Sequence, residues 1–442
     1  METFLIKAFQ LILSLSIIVI VHEFGHFLFA RVFKVRVEKF YLFFDPWFSL
    51  FKFKPKNSDT EYGIGWVPLG GYCKISGMID ESMDREQMAK PPQPYEFRSK
   101  PAFPRFMIMF GGVLFNFILA LIIYSSVLLA WGETYLPMRN AVLGMDFSET
   151  AVEMGFRDGD IILSADGTEL ERYDEHATRV IASAKQVIVL RGGEEVAIAI
   201  PEDFMQRIIK AKQGFAGYGT RYPMVVDRTK AGSFAEKAGL QSGDSIVAIN
   251  GIPTPSVYDV TSVLANNKNS TVELLFYRNR EISEASVQTD SLGKMGFYPK
   301  QILDVYQHKT FNYGFFESIP AGVKKGVGTL TGYVSDFQYV FTKEGASSLG
   351  GFGTIGSIFP SSFDGKRFWE LTAFLSIIIA FMNILPIPAL DGGHILFLLY
   401  EVVTRRKPNE KFMEYVTMAG MIFVFALIIL ANFNDVLRFF FK

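Results

Sequence analysis

The chain has 442 residues and a formal net charge of −1, and 49% of its residues are hydrophobic while 20% are charged. A soluble domain carries about 25% charged residues, and the deficit here comes from a few long apolar runs, as in proteins that cross a membrane several times. The near-zero net charge gives no indication of a nucleic-acid partner, and the single cysteine, Cys73, excludes an internal disulfide.

Four segments are apolar over the roughly 20 residues that a transmembrane helix needs. The sequence therefore predicts an α-helical membrane protein with four transmembrane helices. In chain order we expect transmembrane helix 1 at 1–33, a cytoplasmic, membrane-associated β region at 34–105, transmembrane helix 2 at 106–131, two globular domains at 132–213 and 214–308, a membrane-surface connection at 309–368, transmembrane helix 3 at 369–400, a cytoplasmic loop at 401–411 and transmembrane helix 4 at 412–442.

Lysine and arginine are concentrated in two connections, from Arg31 to Lys56 and from Arg405 to Lys411. Since cytoplasmic loops carry an excess of these residues, both connections are predicted to be cytoplasmic. The termini and the long segment between helices 2 and 3 then lie on the opposite side, which is the periplasm in a Gram-negative cell. We expect a multi-pass protein of the inner membrane, with the inverted orientation as the alternative.

Between residues 62 and 78 the sequence YGIGWVPLGGYCKISGM mixes β-branched and aromatic residues with several glycines. This composition predicts a β-hairpin or a re-entrant β segment at the cytoplasmic face.

The segment between helices 2 and 3 contains an internal repeat. AVEMGFRDGDIILSADG at 151–167 aligns without gaps with AEKAGLQSGDSIVAING at 235–251. Each copy predicts a short helix that ends at glycine, a Gly-Asp turn, an apolar strand and a second turn. The pattern resembles bacterial PDZ domains, which implies two tandem α+β PDZ domains that bind extended peptides at a sheet edge. Rigid spacers without a ligand are the alternative.

The first apolar helix carries the motif HEFGH at residues 22–26. Its four-residue spacing places His22 and His26 on one helix face, about one turn apart, where a single zinc ion can bridge them. Glu23 follows the first histidine and is placed to act on a water at the metal. A charged residue at the centre of a span costs about 2.5–3.5 kcal/mol and indicates function, the alternative being a helix end whose polar side chains reach the interface.

Two histidines leave a catalytic zinc site one protein ligand short. The best candidate for the third ligand is Asp391 in NILPIPALDGGH at 383–394, because it reaches a depth close to that of the histidines and has no basic residue nearby in its own span. Pro386 and Pro388 break the helix, which is tolerated at membrane depth only around a cavity or protein interior. His394 is a second candidate, closer to the cytoplasmic end.

Asn116 and Asn383 are also predicted to lie at membrane depth. An amide there needs hydrogen bonds, either to freed backbone groups or to a substrate. For Asn116 a hydrogen bond between helices is an equal alternative to substrate binding, whereas for Asn383 the substrate role is favoured.

The motifs at 22–26, at 111–116 (GGVLFN) and at 383–394, with the two PDZ-like repeats, together resemble the site-2 proteases over essentially the whole chain. The sequence departs from that family at two positions where proline is common, which are Val113 and Phe352. Neither position belongs to the proposed metal ligands, so the departures concern the local shape of span two and of the loop before span three.

The resemblance implies an intramembrane zinc metalloprotease whose substrates are single-span membrane proteins, such as an anti-sigma factor, and remnant signal peptides. In this family the PDZ pair would exclude substrates with bulky domains. The glycine-rich loop would pair with an unwound substrate as an extra strand. The implied residues are His22, His26 and Asp391 as Zn²⁺ ligands, Glu23 as general base, and Asn383, Gly63, Gly65, Gly70 and Gly71 as substrate-binding residues. Asn116 joins the substrate-binding candidates because of its depth in span two.

Two rival functions belong to other classes. A non-catalytic receptor would sense exported peptides through its PDZ domains, and replacement of Glu23 by glutamine would leave its cellular function intact. A zinc-coupled transporter would need ionisable residues along a path through the bilayer. The sequence places them at one depth instead.

Overall fold

The computed structural model describes residues 2–78, 91–211, 214–342, 345, 349–406 and 408–440. The chain forms two compact units, of which one comprises Met1–Gly132 with Asn312–Lys442 and the other comprises Glu133–Phe311. The first unit holds the long apolar helices and a small sheet, and the second is built mainly of strands.

The elements of the described residues are numbered in chain order. The helices are α1 Glu2–Val32, α2 Ala102–Trp131, α3 Glu149–Glu153, α4 Glu175–Ser183, α5 Phe204–Ala211, α6 Phe234–Lys237, α7 Val257–Ala265, α8 Ile302–Val305, α9 Phe315–Phe337, α10 Phe352–Ser357, α11 Gly365–Ile384, α12 Asp391–Thr404 and α13 Glu410–Phe440. The strands are β1 Val37–Phe44, β2 Phe51–Phe53, β3 Glu61–Ile64, β4 Val67–Ile75, β5 Glu133–Tyr135, β6 Met145–Phe147, β7 Ile161–Ala165, β8 Thr168–Glu169, β9 Gln186–Arg191, β10 Glu194–Ala199, β11 Ala216–Thr220, β12 Met224–Thr229, β13 Ser245–Ile249, β14 Ile252–Pro253, β15 Thr271–Arg278, β16 Glu281–Gln288, β17 Phe297–Pro299 and β18 Lys309–Phe311.

Four helices of the described chain are long and apolar enough to cross a membrane, namely α1, α2, α11 and the part Lys411–Arg438 of α13. Helices α1 and α2 touch backbone to backbone, because a Cβ atom on Gly111 would lie 2.6 Å from the carbonyl oxygen of Gly25. Small residues at such a contact let apolar helices approach closely in lipid. This close contact brings α2 against the histidine-bearing face of α1.

The predicted third span is two helices. Helix α11 ends at Ile384, Pro386 and Pro388 occupy the break, and α12 begins at Asp391. Proline ends a helix because it lacks an N–H and clashes with the preceding turn. The break therefore places the candidate aspartate at the N-terminus of a new helix.

Helix α9 packs lengthwise along α11. Lys325 of α9 donates to Glu370 at 3.0 Å, and the ring centroids of Phe337 and Phe381 lie 5.2 Å apart further along both helices. The buried residues of α9 are all small, namely Ser318, Gly322, Gly326 and Gly332. This stripe of small residues lets the helix pack against α11, and the membrane-surface position of 309–368 stays a prediction.

Residues 37–75 form a four-stranded sheet with the order β2-β3-β1-β4. The predicted hairpin within 62–78 is wrong in its pairing, because β3 and β4 lie on opposite sides of β1. The chain crosses the end of β1 at Gly65, whose N–H donates to the Leu42 carbonyl at 2.8 Å, while the Trp66 N–H donates to the Phe44 carbonyl at 3.1 Å. Any side chain at position 65 would overlap the Phe44 carbonyl, so glycine permits the crossing.

The strand-rich unit repeats one order of elements. The series α3-β7-β8-α4-β9-β10 recurs as α6-β13-β14-α7-β15-β16, with β9–β10 and β15–β16 both antiparallel. The two copies contain the aligned segments 151–167 and 235–251. The unit is thus internally duplicated, and the PDZ identity of the copies stays a prediction.

The predicted boundary between residues 213 and 214 lies too early. Strand β11 pairs with β6 of the first copy, and Phe215 is buried in the core of that copy. Arg221 follows β11 and bonds to Asp146 at 2.5 Å and to Asp259 of the second copy at 2.7 Å. Burial raises the pKa of Asp146, against the opposing effect of the Arg221 guanidinium. The first copy therefore extends through β11, and Arg221 joins it to the second.

The end of this unit also lies later than predicted. Strand β18 pairs antiparallel with β5, so the unit closes on its own first strand and continues to Phe311 rather than ending at residue 308.

Each copy buries the aspartate of its Gly-Asp turn. Asp160 and Asp244 are each 1% exposed. Arg191 donates to Asp160 through Nε at 2.8 Å and Nη2 at 2.7 Å, and Arg278 donates to Asp244 at the same two distances. Bidentate pairing of this kind is the strong form of a charge-assisted hydrogen bond. Both carboxylates are therefore fully matched by a permanent cation.

The two departures from the family pattern are both accommodated. Val113 lies inside α2, where a valine keeps the backbone N–H that a helix interior uses. Phe352 begins α10, and its N–H donates to the Asn432 side chain on α13 at 3.3 Å, a bond that proline could not make.

Candidate metal centre and active site

Three side chains from α1 and α12 converge at one point. The two Nε2 atoms of His22 and His26 lie 3.1 Å apart. Oδ2 of Asp391 lies 3.3 Å from the first and 3.4 Å from the second. The two histidines are 9% and 6% exposed, and the Asp391 side chain is 13% exposed. Three potential ligand atoms thus form a nearly equilateral, buried triangle.

The size of this triangle fits a zinc ion. Zinc ligands lie about 2.0–2.2 Å from the metal, and two of them at a tetrahedral angle are therefore about 3.3–3.6 Å apart. The three observed edges are 3.1, 3.3 and 3.4 Å. One ion can accordingly contact all three atoms and keep a fourth position open, as catalytic zinc sites do.

Among the described residues, no lysine or arginine compensates the charge of Asp391. Its Oδ2 is buried and accepts no hydrogen bond. Among the described residues its ion-pair partners are the two histidines, and no lysine or arginine pairs with it. A buried carboxylate without a cation is costly, and zinc is the cation that this donor set selects. The residues present therefore fit the metal.

His394, the second candidate ligand, is not part of this triangle. It lines a cavity of about 160 Å³ together with Arg105 and Glu401, which form an ion pair at 2.6 Å. The structure thus brings Asp391, and not His394, to the two histidines.

The far sides of both imidazole rings face α2. Nδ1 of His26 lies 2.8 Å from the Ile108 carbonyl oxygen, and Nδ1 of His22 lies 3.2 Å from Nδ2 of Asn116. Asn116 was predicted to bind substrate, and the structure places it behind a candidate ligand. The Ile108 carbonyl was not predicted, because a backbone group leaves no mark in the sequence.

Glu23 and Asn383 both lie at the centre. The Glu23 carboxylate lies beside the backbone of Cys73 on β4, and it is close enough to the histidines and Asp391 to interact with their charges. Asn383, near the end of α11, has its Nδ2 3.4 Å from Nε2 of His22. An acid–base group and an amide donor therefore border the metal position.

The four predicted substrate-binding glycines have separate positions. Gly63 lies on β3 against the Tyr41 ring, and Gly65 lies at the crossing over β1. Gly70 and Gly71 lie on β4, where a Cβ atom on Gly71 would be 2.8 Å from Val19 of α1. Strand β4 is an edge strand of its sheet and packs beside α1. Only the second pair therefore lies on the edge strand next to the helix of the motif.

A centre of this kind among apolar helices defines a membrane metallopeptidase. The model of Peptidase family M50 matches residues 10–427, and the chain belongs to this family. The chain is 30% identical to Protease RseP of Yersinia pestis, with 97% of each chain covered. It is 28% identical to the Regulator of sigma-E protease RseP of Salmonella typhimurium, with 97% of each covered. It is also 28% identical to a protein that carries the name of a zinc metalloprotease in Borreliella burgdorferi, with 96% of each covered.

The protein is accordingly a zinc metalloendopeptidase of the site-2 protease type, similar to RseP. The predicted family, the enzyme class and the zinc dependence are confirmed. The ligand set and the roles of the individual residues stay predictions, which the geometry above supports.

Proposed function

We propose that this peptidase hydrolyses peptide bonds inside the transmembrane segments of single-span proteins. In this proposal His22, His26 and Asp391 hold the zinc ion and Glu23 is the general base. The observation that carries it is the triangle of 3.1, 3.3 and 3.4 Å whose carboxylate oxygen accepts no hydrogen bond. Two of the three side chains are on α1, which is long and apolar enough to cross a membrane, and this supports chemistry within the bilayer.

The chemistry divides between the metal and the protein. When bound, zinc supplies Lewis acidity, which polarises a carbonyl group and acidifies a coordinated water. A carboxylate oxygen of Glu23 accepts the proton of the attacking water and later donates it to the leaving amine. The backbone of Cys73 lies beside this carboxylate. The amide of Asn383, beside His22, would donate to the substrate backbone.

A substrate helix must unwind before it can be cut, because its peptide groups are engaged in its own hydrogen-bond ladder. Among the described strands, β4 has β1 on one side and none on the other, and an extended segment added on that side would have its backbone groups satisfied. Gly70 and Gly71 belong to that edge. We therefore assign the pairing of unwound substrate to β4 rather than to the whole 63–71 loop.

The proposed substrates are anti-sigma factors and remnant signal peptides. One relative is named as a regulator of sigma-E protease, and this name supports the first group. The distribution of lysine and arginine supports an inner-membrane location with the catalytic centre toward the cytoplasm. In this arrangement the duplicated unit is a periplasmic pair of PDZ domains that holds back untrimmed substrates or binds their peptides.

Replacement of Glu23 by glutamine tests the proposal. Glu23→Gln keeps the size of the side chain and removes its basicity, so cleavage of a model single-span substrate should fall by about 10²–10⁴-fold. Zinc content should remain that of the wild type. The matched control is Glu370→Gln, which changes a glutamate on α11 that pairs with Lys325 and should cleave normally.

Two results would contradict the proposal. Cleavage retained by Glu23→Gln would remove the general-base assignment. Active wild-type protein that contains no zinc would remove the metal assignment.

A further inference from the structure

One face of α2 lies against the rings of both candidate histidine ligands. Ile108, Gly112 and Asn116 follow one another at intervals of four residues and therefore share this face. A Cβ atom on Gly112 would overlap the His26 ring and lie 2.6 Å from Cε1 of His22. Glycine thus lets α2 come close enough for its polar groups on either side to reach the two Nδ1 atoms.

The proton on each imidazole ring determines what those polar groups must do. A histidine that binds a metal through Nε2 carries its proton on Nδ1, and that N–H needs an acceptor. For His26 the acceptor is the Ile108 carbonyl at 2.8 Å. For His22 the neighbouring group is the Asn116 amide, whose Nδ2 lies 3.2 Å from Nδ1, while its Oδ1 has no hydrogen-bond partner among the described residues. A half-turn of this amide exchanges the two atoms and supplies the missing acceptor.

Asn116 is held in place from the other side. Its backbone carbonyl accepts a hydrogen bond from Ser376 on α11 at 2.8 Å, and both residues are fully buried. Full burial separates the amide from any substrate, which argues against the predicted substrate-binding role. A role in joining helices alone does not explain why the Asn116 amide faces Nδ1 of His22, the ring nitrogen that does not point to the metal position.

We propose that Asn116 is a positioning residue that accepts the Nδ1 proton of His22 and thereby fixes the ring for zinc through Nε2. This inference rests on the proposed function, in which His22, His26 and Asp391 are the zinc ligands. Partners of this kind orient the ring and raise the basicity of the ligand nitrogen. The second span then supports both histidines, one through a carbonyl and one through an amide.

The test compares two substitutions of nearly equal size in the full-length protein. Asn116→Leu removes the acceptor, and Asn116→Asp keeps an acceptor of the kind found behind many zinc-bound histidines. Zinc affinity is measured by competition with a chromogenic chelator, without substrate. The leucine variant should bind zinc about 10–100-fold more weakly, and the aspartate variant should stay close to the wild type. If the leucine variant does not fold, Asn116→Ala takes its place with the same expectation.

Different outcomes separate this role from packing and from substrate binding. If Asn116 only fills space between helices, the leucine variant keeps its zinc affinity and the buried charge of the aspartate variant lowers it. If Asn116 binds substrate, zinc affinity stays normal in both variants and KM rises. Either result overturns the inference. Ser125→Ala removes another polar side chain of α2, which bonds to the Leu121 carbonyl, and should leave zinc affinity unchanged.

His22→Ala distinguishes failure of this inference from failure of the proposed ligand set. If His22→Ala loses zinc while Asn116→Leu retains it, only the role of Asn116 is wrong. If His22→Ala binds zinc like the wild type, the ligand set itself is wrong and the inference falls with it. The absorption spectrum of the cobalt-substituted protein adds a second readout, because Asn116→Leu should change the ligand field and Ser125→Ala should not.

Discussion

Buried aspartates occur in both units of the molecule, and their surroundings differ. In the duplicated unit, Asp160 and Asp244 are 1% exposed, and each accepts two hydrogen bonds from one arginine. In the helical unit, Asp391 faces two imidazole rings, and its Oδ2 accepts no hydrogen bond. In the first arrangement an arginine balances the negative charge of the carboxylate. In the second, no lysine or arginine of the described residues does so, and a bound cation would be needed.

This difference teaches how to separate a structural carboxylate from a metal ligand. A buried acid that already has an arginine contributes to folding, and the loss of its partner leaves an uncompensated charge. For a buried acid beside two histidines, without an arginine or lysine among the described residues, we expect a cation from outside the chain as the partner. The following experiments change one carboxylate or its partner at a time.

The largest effect is expected at Asp391. Asp391→Asn removes the charge and one of the three ligand atoms, so bound zinc and cleavage of a model substrate should both fall below detection. The measurement is the zinc content of the purified protein together with a cleavage assay. Asp244→Asn is the matched control and should keep its zinc. A normal zinc content in Asp391→Asn would show that the carboxylate is not a ligand.

A smaller effect, on stability alone, is expected at Arg278. Arg278→Met leaves the Asp244 carboxylate buried without a cation. The cost should be about 2–3 kcal/mol, below the about 3–5 kcal/mol of a fully buried pair. The reduction reflects solvent access, because the guanidinium side chain is 31% exposed.

Hydrogen exchange on the full-length protein measures this effect locally. A cost of about 2–3 kcal/mol should speed exchange of the β13 and β15 amides by about 30- to 160-fold. Amides of β9 in the first copy serve as the internal reference, and zinc content should not change. Equal exchange rates in the wild type and the variant would show that the Arg278–Asp244 pair does not contribute to stability.

The smallest effect is expected at an exposed pair. Asp203 and Arg207 lie at 2.8 Å, but their side chains are 48% and 51% exposed. Solvent-exposed pairs contribute little, so Asp203→Asn should leave both the exchange of α5 amides and the zinc content unchanged. If Asp203→Asn speeds the exchange of α5 amides as much as Arg278→Met speeds that of β13 amides, buried and exposed pairs do not differ in their contribution to stability.

The sequence predicted much of the metal centre because its information is local. The four-residue spacing places His22 and His26 on one helix face, and the prolines before Asp391 predicted the break that begins α12. The support from α2 was not predictable in the same way. The Ile108 carbonyl belongs to the backbone, which the residue type does not reveal. For Asn116 the sequence favoured substrate binding and a contact between helices equally, because it does not show that His22 is the neighbour.

The strand pairing in the small sheet at 37–75 was not predictable from the sequence in this way. The run VEKFYLFF at 37–44 is rich in β-branched and aromatic residues, which is a strand signal that the hairpin prediction did not use. Pairing is a non-local property, so a segment with strand character does not reveal which strand lies beside it. Gly65 was read as part of a hairpin, whereas its lack of a side chain serves a crossing over β1. The domain boundary at 213/214 was misplaced for the same reason, since β11 pairs backward with β6.

The separation of the candidate ligands along the chain has a consequence for biosynthesis. His26 and Asp391 are 365 residues apart in the chain, and the whole strand-rich unit lies between them. A ribosome that adds about 5–20 residues per second needs roughly 20–70 s to travel that distance. During this interval the first helix can enter the membrane with two of the three proposed ligands. With the proposed ligand set, the zinc site is incomplete until Asp391 has been synthesised.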